Sequence, residues 1–405
     1  MKVLICGGGC AGPALALWLA RLGHQVTIVE RFPALRASGA QIDLRAQGIP
    51  AAHRMGILPA VRERSVDELG LSIIDEKGRS WAKIMANTSG KGPQTPTSEY
   101  EIMRGDLVQI LYEKTNDEVE YVFGKSVDKF EQDDQKVEVY FSDGTSATYD
   151  LLVGADGLGS GIRKMLLPET SDPYFHTGFH IAYWIVPRIP SDSNLAEDYN
   201  APGGRQIQRR SHSPTETQAY FILKDDAPEI RAIHRASEAD QKEFWKQRFR
   251  NAGWQAERFI KGMETTSNFY SSEIAQVRLN RWHKGRVVLL GDAAHCASPM
   301  SGMGTTGAFV GAYVLAGELS KSPDDIGSAL ENYEKTLRPF VDKIQDVNFG
   351  FRRLVMPDTA WGISVARWAM WLVCLLRVPQ LVIMFSNEGN GGWTLPEYPG
   401  LESHS

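Results

Sequence analysis

The chain has 405 residues, 42% of them hydrophobic and 23% charged, and a formal net charge of -5. That length buries a sizeable core and points to two intimately joined domains, and the absence of a basic excess argues against a nucleic-acid binder. The four cysteines, Cys6, Cys10, Cys296 and Cys374, form no CxxC pair, so neither a zinc site nor a disulfide framework is supported and a reduced, cytoplasmic setting is expected.

The first segment, KVLICGGGCAGPALALWLARLGHQVTIVE, reads as strand, glycine turn, helix and second strand rather than as an export signal. Gly7, Gly9 and Gly12 supply GxGxxG around Cys10 and Ala11, and Glu30 ends the second strand. In this arrangement Gly7 permits the tight turn, Gly9 lets backbone approach a pyrophosphate, and Gly12 lets helix and strand pack closely. The helix N-terminus offers unpaired N–H groups to the phosphates. Glu30 can accept from an adenosine ribose; its charge disfavours a 2′-phosphate, so FAD or NAD fits better than NADP. No other stretch pairs that spacing with an acid closing a following strand.

Next, ASGAQIDLRAQGI carries Asp43 in a loop before a helix expected to reach Met55. LSIIDEKGRSW reads as a hairpin turning near Lys77 and Gly78. KIMANTSGKGPQTPTSEY reads as a loop. Arg104 stands at the start of a helix with Leu107, Ile110 and Leu111 at helical spacing; on local grounds it is a surface arginine. VEYVF, SVDKFEQ, KVEVYF and SATYD suggest a β-meander. DLLVGADGLGSGIRKML then repeats the strand-to-glycine-loop-to-helix pattern, with Asp156 at the strand's carboxyl end, as a ligand contact or a turn aspartate.

Residues 172–284 change character and read as an antiparallel sheet with helices around Glu238–Arg250 and Gln255–Met263. Along the first strand Phe175, Phe179, Ile181 and Tyr183 share one face, and His176, His180 and Trp184 the other. One face should pack on helices and the other line a cavity, and alternation does not say which. His176, His180, Tyr183, Arg209 and Tyr220 are the candidate substrate contacts, although a lone sheet histidine is more often structural.

GRVVLLGDAAHCASPMSGMGTTGAFVGAYVLAGEL returns to strand and glycine loop. Asp292 and His295 lack a third metal ligand nearby, and SPMSG is not a nucleophile elbow. A cofactor clamp explains more: Asp292 can accept from a polyol hydroxyl, and the helix starting near Gly304 aims its positive end at a planar ring. Farther on, WAMWLVCLL, between Arg367 and Arg377, is too short for a membrane span, which needs roughly 20 apolar residues. It reads as a buried or domain-bridging helix, or as a contact for a membrane surface or lipophilic substrate.

Three motifs in order, GxGxxG with Glu30, VGADGLGSGIR and GDAAHCASPMSGMG, make the chain resemble the group A flavoprotein monooxygenases of the para-hydroxybenzoate hydroxylase fold. GAQIDL and GAYVLAGEL look most like the branch holding the tetracycline-inactivating monooxygenases and related natural-product enzymes. The resemblance implies an α/β architecture: a Rossmann-like FAD-binding domain over 1–171 and 285–350, with 70–101 contributing to the other sheet, an inserted β-sheet substrate domain over 172–284, and a helical region over 351–405. It also implies roles. Gly7, Gly9, Gly12 and Glu30 would hold the ADP half, with Cys10 and Ala11 in the same turn and Arg31 near the adenosine. Asp43 would approach the flavin, Arg104 would contact the flavin chain, and Asp156 would serve FAD and NAD(P)H. Asp292 would bind ribitol, and Pro299, Gly302, Gly304 and Thr305 would border the isoalloxazine. Many members place Asn and Asp where Thr306 and Gly311 stand here, which puts details of ring contact in question.

The implied reaction is reduction of FAD by NADH or NADPH, O₂ addition at flavin C4a, and transfer of one oxygen from the hydroperoxide to an aromatic or polycyclic small molecule. The alternatives are an oxidase or reductase, a Baeyer–Villiger enzyme, or a non-enzymatic binding protein of the GTPase-chaperone type. The flavin-halogenase WxWxIP signature is absent. A monomer is compatible with the sequence.

Overall fold

The computed structural model describes residues 1–405 except 37–38, 88–93, 95–96, 171, 377, 379–392 and 402–405. Residues 88–93 and 95–96 of the Gly/Pro-rich loop expected over 83–100, together with Arg377, lie outside the described residues.

A six-stranded sheet runs in the order His283–Lys284, Val287–Leu289, Leu151–Gly154, Lys2–Cys6, Gln25–Glu30 and Glu120–Phe123. All its pairings are parallel except the first. The core strands read as near-continuous apolar runs because both faces are covered. Helices Ala11–Arg21 and Gly304–Lys321 pack together across one face, with Trp18 and Tyr313 edge-to-face at 5.3 Å. The expected four-strand meander loses its first member here. Val127–Gln132, Val137–Phe141 and Ser146–Tyr149 form a separate antiparallel unit, whereas Glu120–Phe123 joins the parallel sheet beside Gln25–Glu30.

The second large sheet has seven strands: Tyr270–Val277, Tyr174–Pro187, Glu216–Lys224, Arg205–Ser211, Leu195–Ala201, Gly70–Ile74 and Ser80–Met85. Leu195–Ala201 has no clear sequence signal because its LAEDYNA alternates weakly. The Gly70 hairpin turns at Gly78 (φ 74°) and completes the sheet's edge. The Trp184 face packs on helices Glu238–Phe249 and Ala256–Thr265, with Phe221, Trp245, Phe249 and Phe259 in one cluster. The opposite face, carrying Phe179, Ile181 and Ile222, meets Met300, Phe349 and Met356. That settles which side of the alternating strand faces the nucleotide domain. A two-stranded pair, Gln41–Asp43 with Glu101–Met103, lies between the sheets.

The carboxy-terminal region corrects one expectation. Helix Ala360–Leu375 is not buried: Ile363 is its only buried residue, while Trp361 is 78% and Trp368 56% exposed. It leans on strand Ser80–Met85 through Trp368 and Trp81, 5.4 Å apart. Beyond it, Leu395, Tyr398 and Leu401 re-enter the nucleotide-domain core. The Tyr398 ring lies so close to Gly317 that a β-carbon there would sit 2.3 Å from it, and the Tyr398 hydroxyl donates to Glu318 at 2.6 Å.

Candidate functional site

The glycine turn after Lys2–Cys6 has the tight geometry that its spacing demands. Gly7 has φ 116°, in the region glycine favours. A β-carbon on Gly12 would lie 2.1 Å from the Gly7 carbonyl oxygen, so the helix can pack this close only without one. Glu30 shapes the turn as well as ending its strand: its carboxylate accepts from the Gly8 N–H at 2.8 Å and the Phe32 N–H at 3.0 Å.

Cationic groups gather at this cleft. The Arg104 Nη2 lies 3.3 Å from where a Gly9 β-carbon would be, and the Arg104 N–H donates to the Ala40 carbonyl at 3.2 Å. Arg36 is depressed from its ordinary arginine pKa by burial and by the charges of Arg104 and Arg31. Arg31 is exposed and rests over the Phe32 ring. Such mutual repulsion among guanidinium groups marks a place suited to an anion. Arg36 gave no sequence signal, because it lies in an irregular loop outside the three motifs.

Asp292 approaches the same cleft from the other side. It follows Gly291 (φ 61°) and opens the short helix Asp292–His295. Its residue surface is exposed, yet protein crowds it: burial pushes its carboxyl pKa up, and the Cys296 thiol and the charges of Arg104 and Arg163 pull it down. A residue both open to solvent and closely ringed by protein lines a concavity. Burial likewise raises the Cys10 thiol, with Arg104 and Asp292 acting on it in opposite directions. Gly9, Cys10, Arg104 and Asp292 are therefore brought together, and Ala11 meets Gly291, whose β-carbon would sit 2.9 Å from the Ala11 methyl.

Beyond Asp292 the chain makes a turn at Pro299–Ser301, with Gly302 at φ 65°, and enters helix Gly304–Lys321. A β-carbon on Gly304 would meet nothing within 4 Å, so space opens at the helix's positive end, where Thr305 is half-buried. Thr306 is committed to backbone: its hydroxyl donates to the Arg45 carbonyl at 2.9 Å and accepts from the Arg45 N–H at 3.0 Å. It thereby fixes the loop whose Arg45 guanidinium contacts Asp43 at 2.6 Å. Burial raises the Asp43 carboxyl pKa, against the pull of Arg45 and the Ser98 hydroxyl.

Other expected contacts lie elsewhere or are already engaged. The Asp156 carboxylate accepts from the Ser160 hydroxyl and from the N–H groups of Gly161 (2.7 Å) and Ile162 (3.2 Å), so it caps helix Gly161–Leu166. His295 is buried against Trp282, with ring centroids 5.0 Å apart, and burial lowers its pKa to about 4. It is a neutral packing residue. A cavity of about 680 Å³ opens beside it, but Arg278 and Arg338 there are held by protein oxygens.

The sheet candidates divide by face. Tyr183 and Tyr220 stand on the nucleotide-domain side, rings 5.1 Å apart; the Tyr183 hydroxyl donates to the Gly39 carbonyl at 3.0 Å and the Tyr220 hydroxyl to Gln218 Oε1 at 2.6 Å. Arg209 is on the helix side with Ile207 and Ala219, fully buried and paired with Glu197 at 2.9 Å. His180 Nδ1 lies 2.9 Å from His234 Nε2, and His176 lies between Glu273 and Asp172. The structure does not bring these three to the cleft. On the Tyr183 side of the sheet Ile181 packs with Met300 and Phe349, and Gln206 and Gln208 donate to Asp198; of these only Met300 lies in a motif.

Among the described residues no group of three or more His, Cys, Asp or Glu could hold a metal ion, and no helix is long and apolar enough to cross a membrane. A parallel sheet with a glycine turn, gathered guanidinium groups and an acid-lined cleft at its carboxyl edge defines a dinucleotide-binding protein. The open space at Gly304 suits the planar end of a flavin.

A family model described as an FAD binding domain matches residues 1–347. The chain is 37% identical to the FAD-dependent monooxygenase asL4 of Sarocladium schorii, with 99% of each chain covered. It is 40% identical to the flavin-dependent monooxygenase eupH of Phoma sp, with 90% of each covered. The solved tetracycline destructase Tet(55) superposes with a TM-score of 0.81 at 29% identity, covering 98% of each chain. The chain belongs to the FAD-binding-domain family of group A flavin monooxygenases.

Proposed function

We propose that the enzyme uses NADH or NADPH and O₂ to insert one oxygen atom into an aromatic or polycyclic natural-product-like substrate, releasing water. The observation that carries this reading is the convergence of Gly9, Arg104 and Asp292 on one cleft, together with an apolar cluster of Ile181, Ile222, Met300 and Phe349 where the seven-stranded sheet meets the turn Pro299–Ser301. When bound there, FAD supplies the two-electron carrier and the oxygen-activating carbon.

In this reading Gly7, Gly9, Cys10, Ala11 and Gly12 receive the pyrophosphate, assisted by Arg104 and Arg36, while Glu30 and Arg31 face the adenosine. Asp292 accepts from the ribitol chain, and Pro299, Gly302, Gly304 and Thr305 border the ring. The apolar patch excludes water from the reacting atoms, and Tyr183 and Tyr220 position the substrate. The test is a screen of aromatic polyketides, indoles and terpenoids under ¹⁸O₂. A product carrying one ¹⁸O per NAD(P)H consumed is expected. Rapid NAD(P)H oxidation with no labelled product from any class would instead identify an oxidase or reductase.

The exposed apolar helix Ala360–Leu375 supports contact with a membrane surface, because tryptophans favour the boundary between water and lipid. The protein is expected to co-sediment with liposomes, and a Trp368→Ser/Trp371→Ser variant to remain in the supernatant. Equal behaviour of both proteins would remove the membrane assignment.

A further inference from the structure

Around Arg210, at the strand pair between the two large sheets, lies a charged cluster of which only Asp43 is a candidate cofactor contact. Arg210 is gripped by two carboxylates: its Nε and Nη2 donate to Glu68 at 2.9 and 2.6 Å, and Nη2 also donates to Glu101 at 2.6 Å. Glu101 stands directly opposite Asp43 in the strand pair Gln41–Asp43 with Glu101–Met103, and Asp43 has Arg45 as its own partner. Glu101 and Glu68 are 2% and 6% exposed. The charged and titratable groups facing Glu101 are thus Asp43, itself paired with Arg45, Glu68 from the segment before Gly70, Arg210 from its strand, and Tyr220 from the next; Asp198 and Arg352 lie behind Arg210 and Glu68.

Four carboxylates, Glu68, Glu101, Asp43 and Asp198, here meet three guanidinium groups, Arg210, Arg45 and Arg352, so the cluster is neutral only with one proton added. Glu101 is the group best placed to carry it. It is flanked by Glu68 and Asp43, and burial, with the charges of Glu68 and Asp43 opposing Arg210, pushes its pKa up to about 8. Two further features connect this proton to the cofactor cleft. The strand that carries Glu101 runs directly into Arg104, and its partner strand ends at Asp43. A hydrogen-bonded chain also leaves Glu101 toward the sheet. The Gln41 Nε2 donates to Glu101, the Gln218 Nε2 donates to Gln41 Oε1 at 3.0 Å, and the Tyr220 hydroxyl donates to Gln218 Oε1 at 2.6 Å.

We propose that Glu101 holds a removable proton at the joint between the two sheets, and that this proton sets how firmly the strand pair presents Asp43 and Arg104 to FAD. Loss of the proton leaves two facing carboxylates, Glu101 and Asp43, across one strand pair, and it adds negative charge to the strand that leads into Arg104. Glu101 is a positioning residue: it acts on the flavin through Asp43 and Arg104. The inference rests on FAD binding alone, so a protein that binds FAD and oxygenates no tested compound leaves it standing.

The sign of the pH effect follows from linkage. A carboxyl whose folded pKa is raised above its unfolded value of about 4.3 stabilises the fold below that value, and the contribution is lost as pH climbs to its folded pKa. The apoprotein is therefore expected to lose melting temperature between about pH 5 and pH 8, and the FAD dissociation constant to rise about 3- to 10-fold from pH 7 to 9. Glu101→Gln, which keeps a neutral side chain of the same shape, should flatten the affinity trend while retaining the tight, low-pH affinity, and should lessen the melting trend, to which the raised carboxyls of Asp43 and Asp292 also contribute. Glu68→Gln removes a neighbouring charge and should move both transitions to lower pH; this second variant carries the test if the first fails to fold. A pH profile of FAD affinity unchanged by Glu101→Gln would overturn the proposal. So would a wild-type affinity flat across this range while the melting temperature falls.

Discussion

Asp292→Ala should yield protein that folds but elutes without FAD. Removing an ionised acceptor from a ligand hydroxyl costs about 1.5–3 kcal/mol per hydrogen bond, or roughly a 10- to 100-fold weaker FAD dissociation constant. The same substitution should leave the apoprotein's melting temperature at pH 8 no lower than that of the wild type. The Asp292 carboxyl pKa is raised by the protein around it, so its ionised form opposes folding at that pH. Fluorescence titration with FAD and a thermal melt separate the two effects. A variant that retains FAD with wild-type affinity would remove Asp292 from the clamp.

The second large effect comes from comparing two glycines. In Gly12→Ala the new methyl would lie 2.1 Å from the Gly7 carbonyl oxygen and 3.2 Å from Ile5. Backbone must move, at a cost of about 1–3 kcal/mol or more in stability, and the turn proposed to receive the pyrophosphate is distorted with it. In Gly304→Leu the side chain enters space where no protein atom lies within 4 Å of the β-carbon. That variant should melt like the wild type and still bind FAD roughly a hundredfold more weakly, about 2.7 kcal/mol. Its purified apoprotein should be colourless with an unaltered far-ultraviolet circular dichroism spectrum. Full flavin occupancy in Gly304→Leu would mean that the ring lies elsewhere.

The parts of this molecule legible in the sequence are those specified by local chemistry. A glycine spacing that only a tight turn needs, an acid closing a strand and a glycine loop opening a helix each act within about thirty residues, and the six-stranded sheet is built around them. What was not legible depends on partners far along the chain. Alternation along Tyr174–Pro187 separates Tyr183 from His180, but only docking against Met300 and Phe349 decides which face the cofactor domain covers. Arg209 and Arg210 are adjacent in sequence and serve opposite sides of one sheet, the first closing an ion pair under the helices and the second joining the two sheets. Glu120–Phe123 looked like one more short alternating strand; its place beside Gln25–Glu30 is a parallel pairing across roughly ninety residues. The Asp156 carboxylate is directed to three donors of its own loop, a local bonding pattern that competes with the ligand-facing role its strand-end position suggested.

The six-stranded sheet draws its middle from both ends of the chain: Lys2–Cys6 lies beside Leu151–Gly154, which pairs with Val287–Leu289. During synthesis the glycine fingerprint emerges first, and the strand leading to Asp292 only after the whole seven-stranded sheet has been made. An amino-terminal fragment can therefore carry every residue of the nucleotide fingerprint and still lack one wall of the cleft. A search for minimal flavin-binding pieces would have to join distant segments of this gene product, because the binding unit is contiguous in space and divided in time.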